Sequence, residues 1–285
     1  MRIAIFGNEY QDEFLPHITR LFKALASRGA DVCVESNYFT HLSQAAKDAA
    51  KQCEVLDSKD IVSDIVISLG GDGTFLRTAQ EVAQKGIPIV GINTGHLGYL
   101  TAAGVEDIGH VADELLINHY RIENRSMLQV SCPEVFIDNP FALNEIAILR
   151  KETSATISMS ACVNGLKLAT YKGDGLVVAT PTGSTAYNLS CGGPIIEPTT
   201  ANIVVTPVSP HSLTLRPLVL RDDSRIDVTT VSRSNQFQLS IDGRIATCPS
   251  GSTITIRKAP FCVKVIQRHG QDFAQKLRNK LFFSY

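Results

Sequence analysis

The first third of the chain alternates short, continuously apolar runs with longer stretches in which apolar residues recur at helical spacing. The apolar runs predict buried strands, and the longer stretches predict amphipathic helices. The predicted strands are Ile3–Phe6, Ala30–Glu35, Asp64–Leu69 and Ile87–Ile92, and the predicted helices are Phe14–Ser27, Thr74–Gln84 and Val105–Ile117. Short apolar strands separated by helices are typical of a parallel sheet covered on both faces. We therefore expect an α/β domain with a Rossmann-like parallel sheet over residues 1–118.

The pattern changes near His119, and from there short alternating strands follow one another between turn residues. Asn-Gly between two alternating segments predicts a hairpin because both residues tolerate positive φ, so Ala155–Val163 is expected to pair with Leu166–Tyr171. Further predicted strands are Gln236–Ile241 and Thr253–Arg257, and the turn pairs are Asn164-Gly165, Asp174-Gly175, Gly192-Gly193, Asp222-Asp223 and Asp242-Gly243. This pattern predicts an all-β sandwich domain over residues 119–265.

A last amphipathic segment, Phe273–Phe282, predicts a helix. We expect residues 266–285 to return to the N-terminal domain. The length of 285 residues agrees with two domains, because it exceeds what one compact core usually holds.

Composition and charge narrow the function classes. The formal net charge of -1 argues against a nucleic-acid binder with a broad basic face. The seven cysteines are scattered without a C-x-x-C pair, which favours reduced thiols over a disulfide framework or a structural zinc site. No run approaches the roughly 20 apolar residues of a membrane span, and the chain starts on strand residues rather than on a targeting segment. We therefore expect a cytoplasmic protein with neither nucleic acid nor membrane as partner.

A glycine loop, Gly70-Gly71-Asp72-Gly73, follows the strand Asp64–Leu69. Ligands of open α/β sheets collect at the carboxyl ends of strands, glycines let the backbone approach a ligand, and N–H groups at a helix start bind phosphate. A carboxylate at this place could accept a proton from a hydroxyl or bind the metal that accompanies a triphosphate. Asp is also a favoured N-cap residue, so Asp72 could simply cap the next helix. The loop alone leaves both interpretations open.

A second glycine-rich loop, Asn93–Leu100, follows the strand Ile87–Ile92 and is expected at the same sheet edge. His96 in this loop could act as a base. A loop histidine is more often structural or solvent-exposed, and we do not expect catalysis by His96.

A third glycine-rich stretch runs from Asp174 to Ser190 and reads DGLVVATPTGSTAYNLS. Together with the Gly70–Gly73 loop, the Asn93–Leu100 loop and Asn144-Glu145, it resembles the NAD kinase family, and the resemblance covers most of the chain. It implies transfer of a phosphoryl group to the 2′-hydroxyl of the adenosine ribose of NAD, giving NADP. The implied substrates are NAD and ATP or polyphosphate, with a divalent metal, Mg²⁺, carried by the nucleotide. The implied assembly is a homo-oligomer, a dimer or a tetramer.

The resemblance also implies the site residues. Asp72 corresponds to the catalytic aspartate, acting as general base, and no residue corresponds to a metal ligand. The implied NAD-binding residues are Asp72, Gly73, Arg77, Asn144, Glu145, Lys172, Asp174, Thr185, Ala186, Tyr187, Asn188, Leu189 and Ser190. The implied active site lies between the two domains, with Asn144, Glu145 and Asp174 facing Asp72.

This chain departs from the family pattern at two positions. Lys172 stands where some relatives carry arginine, which keeps the charge but loses the bidentate geometry of a guanidinium. Arg244 stands where many relatives carry glutamine, so the resemblance assigns no contact to it. Without the resemblance, Asn144-Glu145 would be interpreted as an ordinary turn and Tyr187 as core packing.

Two other functions compete with this reading. Lipid and sphingoid kinases carry a similar Gly-Gly-Asp-Gly loop, but the Thr180–Ser190 stretch and Asn144-Glu145 favour a dinucleotide, and no basic amphipathic helix suggests membrane association. A non-catalytic NAD(P)-sensing module would have no need of Asp72.

Overall fold

The computed structural model describes residues 1–8, 14–95, 98–152 and 156–280. The chain divides into two compact units, one of Met1–Asn124 with Val263–Tyr285 and one of Arg125–Cys262. The expected divisions fall after residues 118 and 265, and the two units divide after Asn124 and Cys262. His96, the first residue of the predicted hairpin and the last two of the predicted C-terminal helix lie outside the described residues.

The first unit begins as an alternation of strands and helices. In chain order these are β1 (Arg2–Gly7), α1 (Leu15–Ser27), β2 (Asp31–Glu35), α2 (Ser36–His41), α3 (Gln44–Ala49), β3 (Glu54–Leu56), β4 (Ile65–Leu69), α4 (Asp72–Val82), β5 (Ile89–Asn93), β6 (Ala103–Gly104) and α5 (Ile108–Leu116). Five of the strands form a parallel sheet in the order β5-β4-β1-β2-β3. The α/β domain with a parallel sheet is confirmed.

The core of this unit explains both its stability and the position of its loops. Strands β4 and β5 are buried along their whole length, and α1 presents Ile18, Leu21, Phe22 and Leu25 to the core. Because β4 and β5 are parallel neighbours with Leu69 opposite Ile92, the loops that follow them emerge at the same edge of the sheet.

The second unit is built from short antiparallel strands. In chain order the elements are β7 (Tyr120–Ser131), β8 (Phe141–Ala142), β9 (Glu145–Arg150), β10 (Ile157–Val163), β11 (Leu166–Gly173), β12 (Gly175–Ala179), α6 (Tyr187–Ser190), β13 (Asn202–Val208), β14 (Leu218–Arg221), β15 (Ile226–Ser232), β16 (Gln236–Ile241) and β17 (Arg244–Pro249). Strand β7 starts within the first unit. The strand β18 (Thr253–Arg268) passes back into the first unit, where the helix α7 (Phe273–Lys280) ends the described chain.

Two sheets of the second unit share one apolar core. One sheet contains β11-β10-β15-β18 and the other has the order β14-β13-β12-β9-β16-β17. Met159 and Val228 come from the first of these sheets, and Ile148, Leu176 and Phe237 come from the second. The predicted β-sandwich is therefore confirmed, because the buried residues of both sheets belong to the same cluster.

Two of the predicted turn pairs, Asn164-Gly165 and Asp174-Gly175, have different outcomes. Asn164 and Gly165 have φ values of 51° and 80° and connect β10 with β11, so the Asn-Gly hairpin is confirmed. Asp174-Gly175 is predicted as a turn between strands, and only Asp174 lies outside the strands, as a bend. Asp174 is the residue at which the chain leaves the sheet of β11 and enters the sheet of β12, and Gly175 already belongs to β12.

Within the described ranges, the longest apolar helical stretches fall short of what crossing a membrane requires.

Replacing Gly165 by alanine tests the hairpin. An alanine at φ 80° is strained, and we expect Gly165→Ala to lower the free energy of unfolding by about 1–2 kcal/mol. Gly109→Ala is the matched control. Gly109 lies in helix α5, where alanine is favoured, and a Cβ there would lie an ordinary 3.7 Å from Nη2 of Arg20. Urea unfolding of both variants makes the comparison, and equal stabilities would contradict the left-handed turn.

Candidate active site

Asp72 is held by backbone N–H groups of the second glycine loop. Its Oδ2 accepts a hydrogen bond from the Tyr99 N–H at 2.6 Å, and its Oδ1 accepts one from the Leu100 N–H at 2.9 Å. Gly71 is the N-cap residue of α4, and Asp72 is the first residue of the helix. The interpretation of Asp72 as the N-cap is therefore wrong. The carboxylate instead joins the loop after β4 to the loop after β5.

Two glycines make this arrangement sterically possible. Gly70 has a φ of 146°, and a Cβ there would lie 2.4 Å from the hydroxyl oxygen of Thr74. A Cβ on Gly98 would lie 2.0 Å from Oδ1 of Asp72. The second loop can therefore approach the carboxylate only because position 98 carries no side chain.

Lys280 of α7 places a cation near this carboxylate. Its Nζ lies 5.2 Å from the ring centroid of Tyr99 and is buried, with no hydrogen-bond partner among the described residues. Burial lowers the pKa of Lys280 to about 8, and the charge of Asp72 acts in the opposite direction. No sequence motif points to this contact, because Lys280 and Asp72 are far apart along the chain.

Arg77 is exposed on α4 near the carboxyl ends of the first two strands. Its Nη2 lies 3.4 Å from Oδ1 of Asn8, which follows β1. It also lines a cleft with Gly7, Thr74 and Glu81. Arg77 is thus a cation at the sheet edge where the glycine loop emerges.

In the second unit, Asn144 and Glu145 are fixed by the turn between β16 and β17. Oδ2 of Asp242 accepts the Leu143 N–H at 2.7 Å, and Oδ1 accepts the N–H groups of Asn144 at 2.8 Å and Glu145 at 3.0 Å. The interpretation of Asn144-Glu145 as an ordinary turn is wrong, because the N–H groups of both residues, with that of Leu143, bind one carboxylate. Sequence reasoning recognised Asp242 only as a turn residue.

The third glycine-rich stretch packs against the same backbone. The Thr180 hydroxyl donates to the Leu143 carbonyl at 2.6 Å, and the Thr180 N–H donates to the Asn144 carbonyl at 2.9 Å. A Cβ on Gly183 would lie 2.0 Å from the Asn144 carbonyl oxygen. Two of the recognised motifs, Asn144-Glu145 and the stretch beginning at Thr180, are therefore in direct contact.

The pKa values of two side chains in the second unit's motifs, Glu145 and Tyr187, are raised. Burial raises the pKa of Glu145 to about 7, the charge of Asp242 adds to this, and a hydrogen bond from the Tyr187 backbone opposes it. Burial likewise raises the pKa of Tyr187, with Cys191, Asp174 and Glu145 contributing. Tyr187 is 38% exposed, so its interpretation as core packing is wrong and its ring is available to a ligand.

The other predicted residues of the stretch differ in what their side chains can do. Asn188 is buried, and its amide bonds the carbonyls of Ser184 and Pro194 and the hydroxyl of Thr206, at 3.0, 3.2 and 2.6 Å. Its side chain therefore has a structural task. Four neighbours keep partly or fully exposed side chains: Thr185, Ala186, Leu189 and Ser190.

Lys172 and Asp174 lie at the end of β11 and just after it. Lys172 is exposed, and Asp174 forms an ion pair with Arg150, whose Nε lies 3.1 Å from Oδ1 of Asp174. Sequence reasoning missed Arg150, since an arginine at a strand end carries no motif. The pair fixes the carboxylate of Asp174 beside β9.

Two family models match this chain. The ATP-NAD kinase N-terminal domain matches residues 3–120, and the ATP-NAD kinase C-terminal domain matches residues 143–268. The matched ranges contain Asp72 and Arg77 in the first case, and Glu145, Asp174 and Tyr187 in the second.

Similar proteins include NAD kinase from Bacteroides fragilis, which is 46% identical over 284 residues, or 99% of this chain and 98% of that protein. The crystal structure of yeast NADH kinase complexed with NADH aligns with a TM-score of 0.87 at 23% identity, covering 100% of this chain and 89% of that one, and shows a shared fold. An NAD kinase from Archaeoglobus fulgidus in complex with ATP aligns with a TM-score of 0.73 at 26% identity, covering 99% and 97%. From the family models and the full-length identity, we conclude that the chain belongs to the NAD kinase family.

Proposed function

We propose that this enzyme transfers a phosphoryl group from ATP to the 2′-hydroxyl of the adenosine ribose of NAD and releases NADP and ADP. The observation that carries the proposal is the placement of Asp72, a carboxylate fixed at the start of α4 inside a glycine loop. The similar Bacteroides fragilis protein is named NAD kinase, and the similar Archaeoglobus fulgidus structure contains ATP. These names support the choice of acceptor and donor.

Asp72 is proposed as the general base. Transfer to a secondary alcohol requires an acceptor for the hydroxyl proton, and a positioned base contributes typically about 10²–10⁴-fold in rate. Each oxygen of Asp72 accepts one N–H from the second loop and keeps further acceptor capacity. The 2′-hydroxyl would give its proton to Asp72 while its oxygen bonds the γ-phosphorus, and the bond from that phosphorus to ADP would break.

The glycine loop offers room for the donor phosphates. A Cβ built on Gly71 or Gly73 meets no described atom within 4 Å, so the space beside both residues is open. N–H groups at the N-terminus of α4 favour an anion at this place. Phosphoryl transfer depends mainly on positioning and on neutralising charge, which such a loop supplies.

Mg²⁺ is proposed to arrive with ATP rather than to reside in the protein. No three His, Cys, Asp or Glu side chains gather as a metal site in the part of the chain that the structure describes. Mg²⁺ is commonly bound through one or two carboxylates together with substrate phosphates, and this donor set fits a loop with a single carboxylate. The ion would neutralise charge on the transferred phosphoryl group.

NAD is proposed to bind through the family's residues in both units. Tyr187 offers an exposed ring for stacking, and Asn144 and Glu145 offer hydrogen-bonding groups at a rigidly held backbone. Asn188 would act by holding this segment in place, because its side chain is used internally. The full proposed set is Asp72, Gly73, Arg77, Asn144, Glu145, Lys172, Asp174, Thr185, Ala186, Tyr187, Asn188, Leu189 and Ser190.

The lipid-kinase and sensor alternatives are not favoured, because both family models and the full-length relative point to NAD kinases. Polyphosphate as an alternative donor, a homo-oligomeric assembly as dimer or tetramer, and a cytoplasmic location remain proposals. Gel filtration with light scattering tests the assembly.

Replacing Asp72 by asparagine separates catalysis from binding. We expect Asp72→Asn to lower the turnover number by at least about 100-fold, because the amide cannot accept the hydroxyl proton. The new NH₂ group opposes one backbone N–H of the second loop, so NAD affinity should also fall, but by less than about tenfold. NADP formation is measured by mass spectrometry and NAD binding by calorimetry. Asp60→Asn, on the exposed surface of the same unit, is the control. Residual turnover near the wild-type value would remove Asp72 from the role of base.

Gly98→Ala tests whether the second loop positions that base. The new Cβ would overlap Oδ1 of Asp72 at 2.0 Å, so the carboxylate must move, and we expect at least about a tenfold loss in turnover. Gly95→Ala is the matched control in the same loop, because among the described residues the nearest atom to a Cβ there would be Oδ1 of Asn93, at 3.9 Å. Equal turnover in the two variants would show that the position of Asp72 does not depend on this contact.

A further inference from the structure

The hairpin between β16 and β17 carries two charged side chains that the family resemblance left without a role. Asp242 and Gly243 form its two-residue turn, with φ values of 46° and 81°. Ile241 and Arg244 are paired across the turn. Asp tolerates the left-handed conformation better than most residues, so the turn can keep a carboxylate at this place.

The two charges of this hairpin hold opposite ends of one segment, residues 139–145. Asp242 accepts three N–H groups at the C-terminal end, those of Leu143, Asn144 and Glu145, at 2.7–3.0 Å. Arg244 donates to two carbonyls at the other end, those of Asn139 and Phe141, both at 2.8 Å. Hydrogen bonds to charged groups are stronger than neutral ones, so these five bonds fix the backbone that carries Asn144 and Glu145.

Burial and the charge of Asp242 both favour the protonated form of Glu145. Burial raises the pKa of Asp242, while its three N–H bonds and the charge of Arg244 act in the opposite direction. Glu145 has a buried Oε2 without a hydrogen-bond partner among the described residues, and burial together with the charge of Asp242 raises its pKa to about 7. The other titratable groups near Glu145 are Tyr187 and Cys191. Both oxygens of Asp242 accept backbone N–H groups, whereas Oε2 of Glu145 accepts none, so a proton taken up by this carboxyl pair goes to Glu145.

We propose that Asp242 and Arg244 are positioning residues for the Asn144-Glu145 segment, and that the charge of Asp242 keeps Glu145 a hydrogen-bond donor toward an acceptor atom of NAD. The second half rests on the proposed function, since it names NAD as the ligand. A protonated carboxyl has one O–H donor, which an ionised carboxylate lacks. Glu145 then recognises an acceptor atom on the dinucleotide rather than a hydroxyl proton.

A titration without any ligand tests the proton's location. Carbon-13 NMR of the Glu145 carboxyl, assigned with Glu145→Gln, should show a midpoint near pH 7 in the wild type. In Asp242→Asn the neighbouring negative charge is gone, so the midpoint should move to lower pH. A wild-type midpoint near the ordinary value of about 4.3, or an unchanged midpoint in Asp242→Asn, would overturn this half of the proposal.

NAD binding against pH tests the consequence. Wild-type affinity should fall as the pH rises through about 7, because Glu145 loses the donated proton and gains a negative charge. Glu145→Gln keeps a donor and should bind NAD with an affinity that is flat between pH 5.5 and 8.5, a range of about 3 units around that midpoint. Asp242→Asn replaces one carboxylate oxygen by an amide NH₂ group that opposes a backbone N–H. At pH 6 this variant should bind NAD at least about tenfold more weakly than the wild type. Asp223→Asn, in an exposed turn of the same unit, is the control and should behave as wild type.

Each outcome decides one claim. Wild-type-like NAD affinity in Asp242→Asn would overturn the positioning role, and a pH-independent affinity in the wild type would overturn the donor role. If Asp242→Asn does not fold, Arg244→Lys replaces it, because one ammonium group cannot reproduce both carbonyl contacts of the guanidinium. A KM for NAD equal to the wild-type value in Arg244→Lys would then overturn the positioning role. Failure of the wild type to bind NAD at any pH would refute the proposed function, while the ligand-free titration would still decide where the proton resides.

Discussion

The hydrogen bonds between the Asp72 carboxylate and the N–H groups of Tyr99 and Leu100 are the interaction on which the first unit's chemistry depends. They require a parallel pair of buried strands, β4 and β5, that deliver two loops to one sheet edge. They also require a glycine at position 98, where any Cβ would collide with the carboxylate. The position of the Asp72 carboxylate therefore depends on the fold and on the loop composition together, and a change in either moves it.

The second unit contains the same kind of interaction, a carboxylate that accepts several backbone N–H groups. The carboxylate of Asp242, a half-buried residue, accepts backbone N–H groups of the segment before β9. In the first unit, the Asp72 carboxylate likewise accepts N–H groups from the segment after β5. The two units differ in which partner is held in place. In the first unit the backbone holds the Asp72 carboxylate, whereas in the second unit the Asp242 carboxylate holds the backbone. In both cases charge-assisted bonds to backbone N–H groups fix a loop that a sequence of small and polar residues would leave mobile.

The sequence predicted those features that depend on neighbours along the chain. Continuous apolar runs located β1, β4 and β5, and Asn164-Gly165 located a hairpin, because periodicity and turn chemistry are local. The motif stretches were also found, including Asp72 and Tyr187. The roles of Asp242, Arg150 and Lys280 were not predictable, because each depends on a partner from a distant element. The helices α2 and α3 were missed as well, since each has only 6 residues and is too short to show a period.

The most direct test of the account is the identity of the product formed from NAD. The wild-type protein is incubated with Mg²⁺, NAD and each of several donors, including ATP and polyphosphate, and the products are identified by mass spectrometry and phosphorus-31 NMR. The account predicts NADP with its new phosphate on the 2′-oxygen of the adenosine ribose and one ADP for each NADP when ATP is the donor. A dinucleotide phosphorylated at another oxygen, or no phosphorylated dinucleotide with any donor, would contradict it.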